Sequence, residues 1–123
     1  NALELPFEDG EFDIAFSNSV IEHLSPGDWE RFASEVTRVS KRFFIQTPNK
    51  WFPIEPHVLL PGYQFLPTSL KRRLWNLSVR NEPYDDITLL TATDLSRLFP
   101  SAGILRERVG PLTKSLVAVD SAT

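Results

Sequence analysis

The chain has 123 residues, 13 of them basic and 16 acidic, a net charge of -3, and neither cysteine nor methionine. That length suits one domain around one core, and the slight acidity supplies no electrostatic reason for nucleic acid or an anionic membrane as the main partner. Disulfides and thiolate chemistry are excluded, no apolar run approaches the roughly 20 residues of a membrane span, and no signal peptide is visible, so a soluble, cytoplasmic protein without stable membrane insertion is expected.

The first residue is Asn1 and the chain opens in what reads as a loop, so the sequence is expected to be the later part of a longer polypeptide. None of its five glycines lies in a GxGxxG or GxxxxGK pattern, and no phosphate-cradling loop is present. Residues 1–10 carry Pro6 and the Asp9-Gly10 turn signal and read as a connector.

Residues 11–24, EFDIAFSNSVIEHL, organise the rest of the chain. Asp13 to Phe16 is short and almost continuously apolar, as suits a parallel strand covered on both faces. Ser17, Asn18 and Ser19 come directly after it, at the carboxyl end where open α/β sheets bind ligands. Glu22 and His23 come next, two groups able to exchange protons or bind a metal. The plainer alternative makes Ser17–Ser19 a cap and turn, and Glu22 and His23 a solvated helix face.

Ser25 as N-cap, Pro26 at the first helical position and Asp28 near the positive end of the dipole predict a helix reaching about Ser40. Trp29, Phe32, Ala33, Val36 and Val39 recur at helical spacing and face a core, with Glu30, Arg31, Glu35 and Arg38 left in water. Residues 42–47, RFFIQT, form a second strand that Pro48 ends, and the crossover is long enough for a right-handed parallel unit. Residues 50–67 are rich in proline and aromatics and read as an insertion packed over the rim made by the two strand ends.

Residues 68–80 are expected to be helical, with Leu70, Leu74 and Leu77 on one side and the basic Lys71, Arg72 and Arg73 on the other. Asp85 and Asp86 fall in a loop. Thr91 and Asp94 make a capping-box variant that opens a short helix stopped by Pro100. Residues 104–109 and 115–119 then form a hairpin across Gly110-Pro111-Leu112-Thr113; the first alternates with charges and suits an edge, and the second, SLVAV, suits the interior.

The order of elements, with Asn1-Ala2, Leu5-Pro6-Phe7, residues 11–16 (EFDIAF), residues 20–24 (VIEHL) and Thr47-Pro48-Asn49, resembles the later half of a class I S-adenosylmethionine-dependent methyltransferase of the type 11/type 23 group. The motifs cover residues 1–49, and the rest is similar by order of elements only. The resemblance implies an α/β fold, the C-terminal half of a Rossmann-like sheet ordered 4-5-7-6, lacking the glycine-rich cofactor loop. It divides the domain into residues 1–49 with the motifs, 50–90 as insertion or substrate lid, and 91–123 as helix and terminal hairpin.

The resemblance also implies S-adenosylmethionine as cofactor and methyl transfer to a small-molecule or lipid-like acceptor. Asn1 stands where the family has an acceptor for the adenine amino group, Ala2 offers the adjacent backbone N–H, and Ser17 and Asn18 correspond to the rim beside the methionine portion. In some relatives an E-x-x-E-H run binds a divalent metal; here Ser19 replaces its first carboxylate, and a hard cation wants several oxygen ligands, so no metal site is expected. His23, with Glu22 beside it and His57 from the insertion, is the candidate to take a proton from a hydroxyl acceptor. His23 hydrogen-bonding across to the insertion is the structural alternative. The other function class is a non-catalytic α/β module pairing through an exposed strand 4 edge, which would also make a homo-oligomer.

Overall fold

The computed structural model describes residues 1–54, 60–77 and 87–120. Strand β1 (Phe12–Asn18) is followed by 3₁₀ turns at Ile21–His23 and Pro26–Asp28, helix α1 (Trp29–Val39) and strand β2 (Ser40–Pro48). The insertion contributes a 3₁₀ turn at Tyr63–Phe65 and helix α2 (Thr68–Leu77); α3 (Ala92–Leu98), β3 (Ala102–Val109) and β4 (Leu112–Asp120) complete the order. The sheet runs β1-β2-β4-β3, with β1 and β2 parallel and β4 antiparallel to both its neighbours. This is the 4-5-7-6 arrangement, with the continuous strand inside and the charged one at the edge.

Period-2 alternation decides which residues reach the core. Phe43 and Ile45 of β2 and Leu116 and Ala118 of β4 point to the face covered by α1 and α3, where they meet Trp29, Phe32, Val36 and Leu95. Phe43 and Phe99 hold their ring centroids 4.9 Å apart across this layer. The Thr91–Asp94 capping box forms, the Thr91 hydroxyl accepting from the Asp94 N–H and the Asp94 carboxylate from the Thr91 N–H, which fixes where α3 begins.

Three expectations change. The Asp13–Phe16 run is not covered on both faces: Ala15 and Ser17 are half-buried on the helix side, while Ile14 and Phe16 are 63% and 68% exposed on the other. A continuous apolar strand therefore stands at the sheet edge. In α2 it is Trp75 that is buried, with Leu70 and Leu77 exposed, so this helix presents a different face from the leucine spacing.

The third change concerns Glu35 and Arg38, which do not simply stay in water. The Arg38 guanidinium donates to the Leu5, Phe7 and Asp9 oxygens at 3.1, 2.8 and 2.8 Å and to both oxygens of Glu35, while Glu35 accepts from the Leu5 N–H at 2.8 Å. Residues from the connector are thus bound to α1. The hydrogen bonds from Arg38 hold the Glu35 carboxyl at about 2, below its usual 4.5.

These contacts set two expected outcomes. Ile45→Ala removes a fully buried side chain at the centre of the sheet and lowers stability by about 2–5 kcal/mol in denaturant unfolding. Because Glu35 binds its proton more weakly when folded, its contribution is present above pH 4.5 and disappears as pH falls toward 2. Arg38→Ala should flatten the pH dependence of stability within that window; an unchanged slope on acid titration refutes the assignment.

Candidate functional site

The site begins where β1 ends. Ser19 adopts φ +56, the one non-glycine residue in the left-handed region among the described residues. A serine there is strained, and its N–H donating to the Gln46 carbonyl at 3.0 Å holds it in place. The reversal sends Ile21 into the core, where its carbonyl accepts from the Trp29 indole at 3.0 Å. It also separates the next two side chains.

Glu22 is fully buried and His23 is exposed. The solvated-face alternative thus fails for Glu22. Its Oε2 accepts from the Thr47 hydroxyl at 3.0 Å, its backbone carbonyl accepts from the Thr88 N–H at 3.0 Å, and its Oε1 has no hydrogen-bond partner among the described residues. One residue therefore joins the turn after β1, the end of β2 and the segment leading to α3. A buried carboxylate oxygen without a donor is costly, and the described residues supply a donor to only one of the two.

At the end of β2, Asn49 is buried, donates from its amide to the Thr113 carbonyl at 2.9 Å and from its N–H to the Lys114 carbonyl at 3.0 Å. This ties the rim to the β3–β4 hairpin. The insertion folds back beside it: Gln64 donates to the Lys50 and Phe52 carbonyls, and Trp51 and Phe65 stack with centroids 6.0 Å apart. A cavity of about 340 Å³ lies between. Asn18, Ser19 and Asn49 border it from the strand ends, and Phe52 and Ile54 border it from the insertion. Gln46, Glu107, Lys114 and Ser115 border it from the sheet and the hairpin.

Of the residues singled out in the sequence, Asn18 lies in this cavity, while Asn1, Ala2, Ser17, Glu22 and His23 do not border it. Asn1 is exposed, and its Oδ1 accepts from the Leu3 N–H at 3.1 Å, which leaves a second lone pair for a donor. Ala2 packs against the core. The Ser17 hydroxyl is enclosed at the strand end with no partner among the described residues. His57 lies outside the described residues, as does the Asp85–Asp86 pair. Among the described residues no group of three or more His, Cys, Asp or Glu could hold a metal ion, and no helix is long and apolar enough to cross a membrane.

The cavity-lining Gln46, Glu107, Lys114 and Ser115 were not marked by any motif. The available signal was alternation: Gln46 lies one residue from the buried Ile45 and Thr47, and so on the opposite sheet face. The orphaned Ser17 hydroxyl, the spare Asn1 acceptor and the Asn18 amide are polar groups of the kind a nucleoside with an amino acid tail would engage. They fit S-adenosylmethionine.

Residues 1–42 match the family model described as a methyltransferase domain. Two uncharacterized proteins of Mycobacterium tuberculosis, from strains CDC 1551 and H37Rv, are 40% identical over 53 residues, 42% of this chain. The match spans only 18% of the length of those relatives.

Among solved structures, the PH0226 protein of Pyrococcus horikoshii superposes with a TM-score of 0.59 at 22% identity, over 97% of this chain and 55% of that one. The small RNA methyltransferase HEN1 gives 0.58 at 18% identity, over 100% of this chain and 15% of that one. Magnesium protoporphyrin IX methyltransferase of Synechocystis PCC 6803, with bound S-adenosylhomocysteine, gives 0.56 at 13% identity, over 98% and 49%. At these identities the likeness is one of fold. Residues 1–42 are thus similar to a methyltransferase domain, and the chain shares a fold with these solved structures, its sheet order β1-β2-β4-β3 being the 4-5-7-6 arrangement.

Proposed function

We propose that this chain supplies the acceptor side of an S-adenosylmethionine-dependent methyltransferase acting on a small molecule. The observation that carries the reading is the cavity of about 340 Å³ beyond the carboxyl ends of β1 and β2, a size and position suited to a compact ligand of an open α/β sheet. The cofactor supplies an activated methyl group on a sulfonium, so the protein's task is positioning and, for a hydroxyl acceptor, removal of a proton.

In this reading the Asn1 side-chain oxygen accepts from the adenine amino group, and the Ala2 N–H donates beside it. Ser17 and Asn18 hold the methionine portion. His23 is exposed on the turn after β1, outside the lining of the cavity, and takes the proton of an acceptor whose hydroxyl extends beyond the cavity to that turn, while the enclosed Glu22 keeps the turn fixed to Thr47. His57 is the second proton-transfer candidate, carried by the insertion.

The test is calorimetric titration of S-adenosylhomocysteine into the full natural polypeptide. Binding that weakens about fivefold in Asn18→Ala, the loss of roughly one hydrogen bond, supports the reading. No binding to the unaltered protein overturns it.

One observation favours a second reading, a module that pairs through its sheet. β1 lies at the sheet edge with Ile14 and Phe16 exposed, and an open apolar edge recruits another strand. The 123-residue chain alone should then self-associate in light scattering, and a stable monomer would rule this out.

A further inference from the structure

The sheet face opposite α1 and α3 carries a polar network across three strands. Glu107 of β3 stands directly opposite Ser115 of β4, and Gln46 of β2, paired with Val117, lies diagonally across from Ser115. The Gln46 amide donates to Glu107 Oε2 at 3.3 Å and lies 3.2 Å from the Ser115 hydroxyl, which also donates to Oε2. Both donors converge on one oxygen. Oε1 accepts no hydrogen bond from any described residue.

The register of β3 against β4 shifts between Glu107 and Arg108, and irregularities of this kind re-aim side chains out of a strand's regular alternation. Glu107 is therefore a carboxylate held in place from behind and turned to the cavity. Lys114 borders the same cavity, yet no ion pair forms between the two or from either to another described residue. Opposite charges on one small cavity, each without a charged partner among the described residues, are complementary to a ligand that brings both signs. Phe52 and Ile54 add an apolar wall.

We propose that the cavity binds a small zwitterionic acceptor of amino acid type, its ammonium group on Glu107 Oε1, its carboxylate on Lys114 and its apolar body against Phe52 and Ile54. The cavity is large enough for such a molecule. This deepens the proposed methyl transfer and rests on it only in calling the occupant an acceptor. Charge-assisted hydrogen bonds give such a site its selectivity.

The experiment measures binding of three probes of similar size to the full natural polypeptide with and without S-adenosylhomocysteine, by ligand-observed NMR titration. The probes are phenylalanine, phenethylamine and 3-phenylpropanoate. Phenylalanine should bind tightest of the three. Glu107→Gln keeps the contacts with Gln46 and Ser115 and should weaken phenylalanine and phenethylamine about tenfold while sparing phenylpropanoate; Lys114→Gln should do the reverse for phenethylamine and phenylpropanoate.

Lys114 is exposed, so its replacement tests the proposal even if Glu107→Gln fails to fold. Equal binding of all three probes, absence of phenylalanine binding, or indifference to both substitutions overturns the inference. Cofactor binding is read separately: loss of S-adenosylhomocysteine binding with probe selectivity intact refutes methyl transfer and leaves the zwitterion site standing.

Discussion

The guanidinium of Arg38 is the constraint on which the placement of the rest depends. Its planar fork reaches the Leu5 and Phe7 carbonyls, Asp9 and Glu35 at once, and its own backbone carbonyl accepts from the Gly10 N–H at 2.8 Å. A connector of ten residues with no regular structure is thereby laid along α1, and the chain enters β1 in one register. A lysine could satisfy one or two of these acceptors; only arginine offers five donors in a fixed plane. The same arrangement positions Asn1 and Ala2, the adenine side of the proposed cofactor site.

From that anchor the rim is assembled by polar contacts between segments distant in sequence. Glu22 reaches Thr47, Thr88 reaches Glu22, and Asn49 reaches Thr113 and Lys114. Each contact joins the end of one strand to a segment from another part of the chain. The apolar core sets the layer, but these few bonds decide the shape of the space beyond it. Glu22 shows the division most clearly: enclosed like a core residue, it keeps an oxygen to which no described residue donates.

Much of the architecture was legible because it obeys local rules. The apolar spacing of α1, the capping box of α3 and the contrast between RERV and SLVAV depend on residues near one another in sequence, and all three appear as expected. What was hidden depends on neighbours that no local pattern contains. Glu35 and Arg38 occupy the polar stripe of α1 and read as solvated until residues 5–9 arrive above them. β1 reads as doubly covered because its composition is that of an interior strand, yet one face is open here. Gln46, Glu107 and Ser115 are ordinary singly; only the pairing of three strands makes them a network. Asn18 could be foreseen because the carboxyl end of a parallel strand is a general ligand position.

The place of β4 between β2 and β3 has a consequence for how the molecule is made. β4 is synthesised after both of its neighbours, so β2 has an unpaired edge throughout translation of the insertion, α3 and β3. At roughly 5–20 residues per second that is an interval of seconds, long compared with helix formation or collapse. Phe43 and Ile45 wait for Leu116 and Ala118 to complete their layer. The nascent chain thus passes through a period in which a strand at the centre of the finished sheet is open on one side, until the hairpin closes over it.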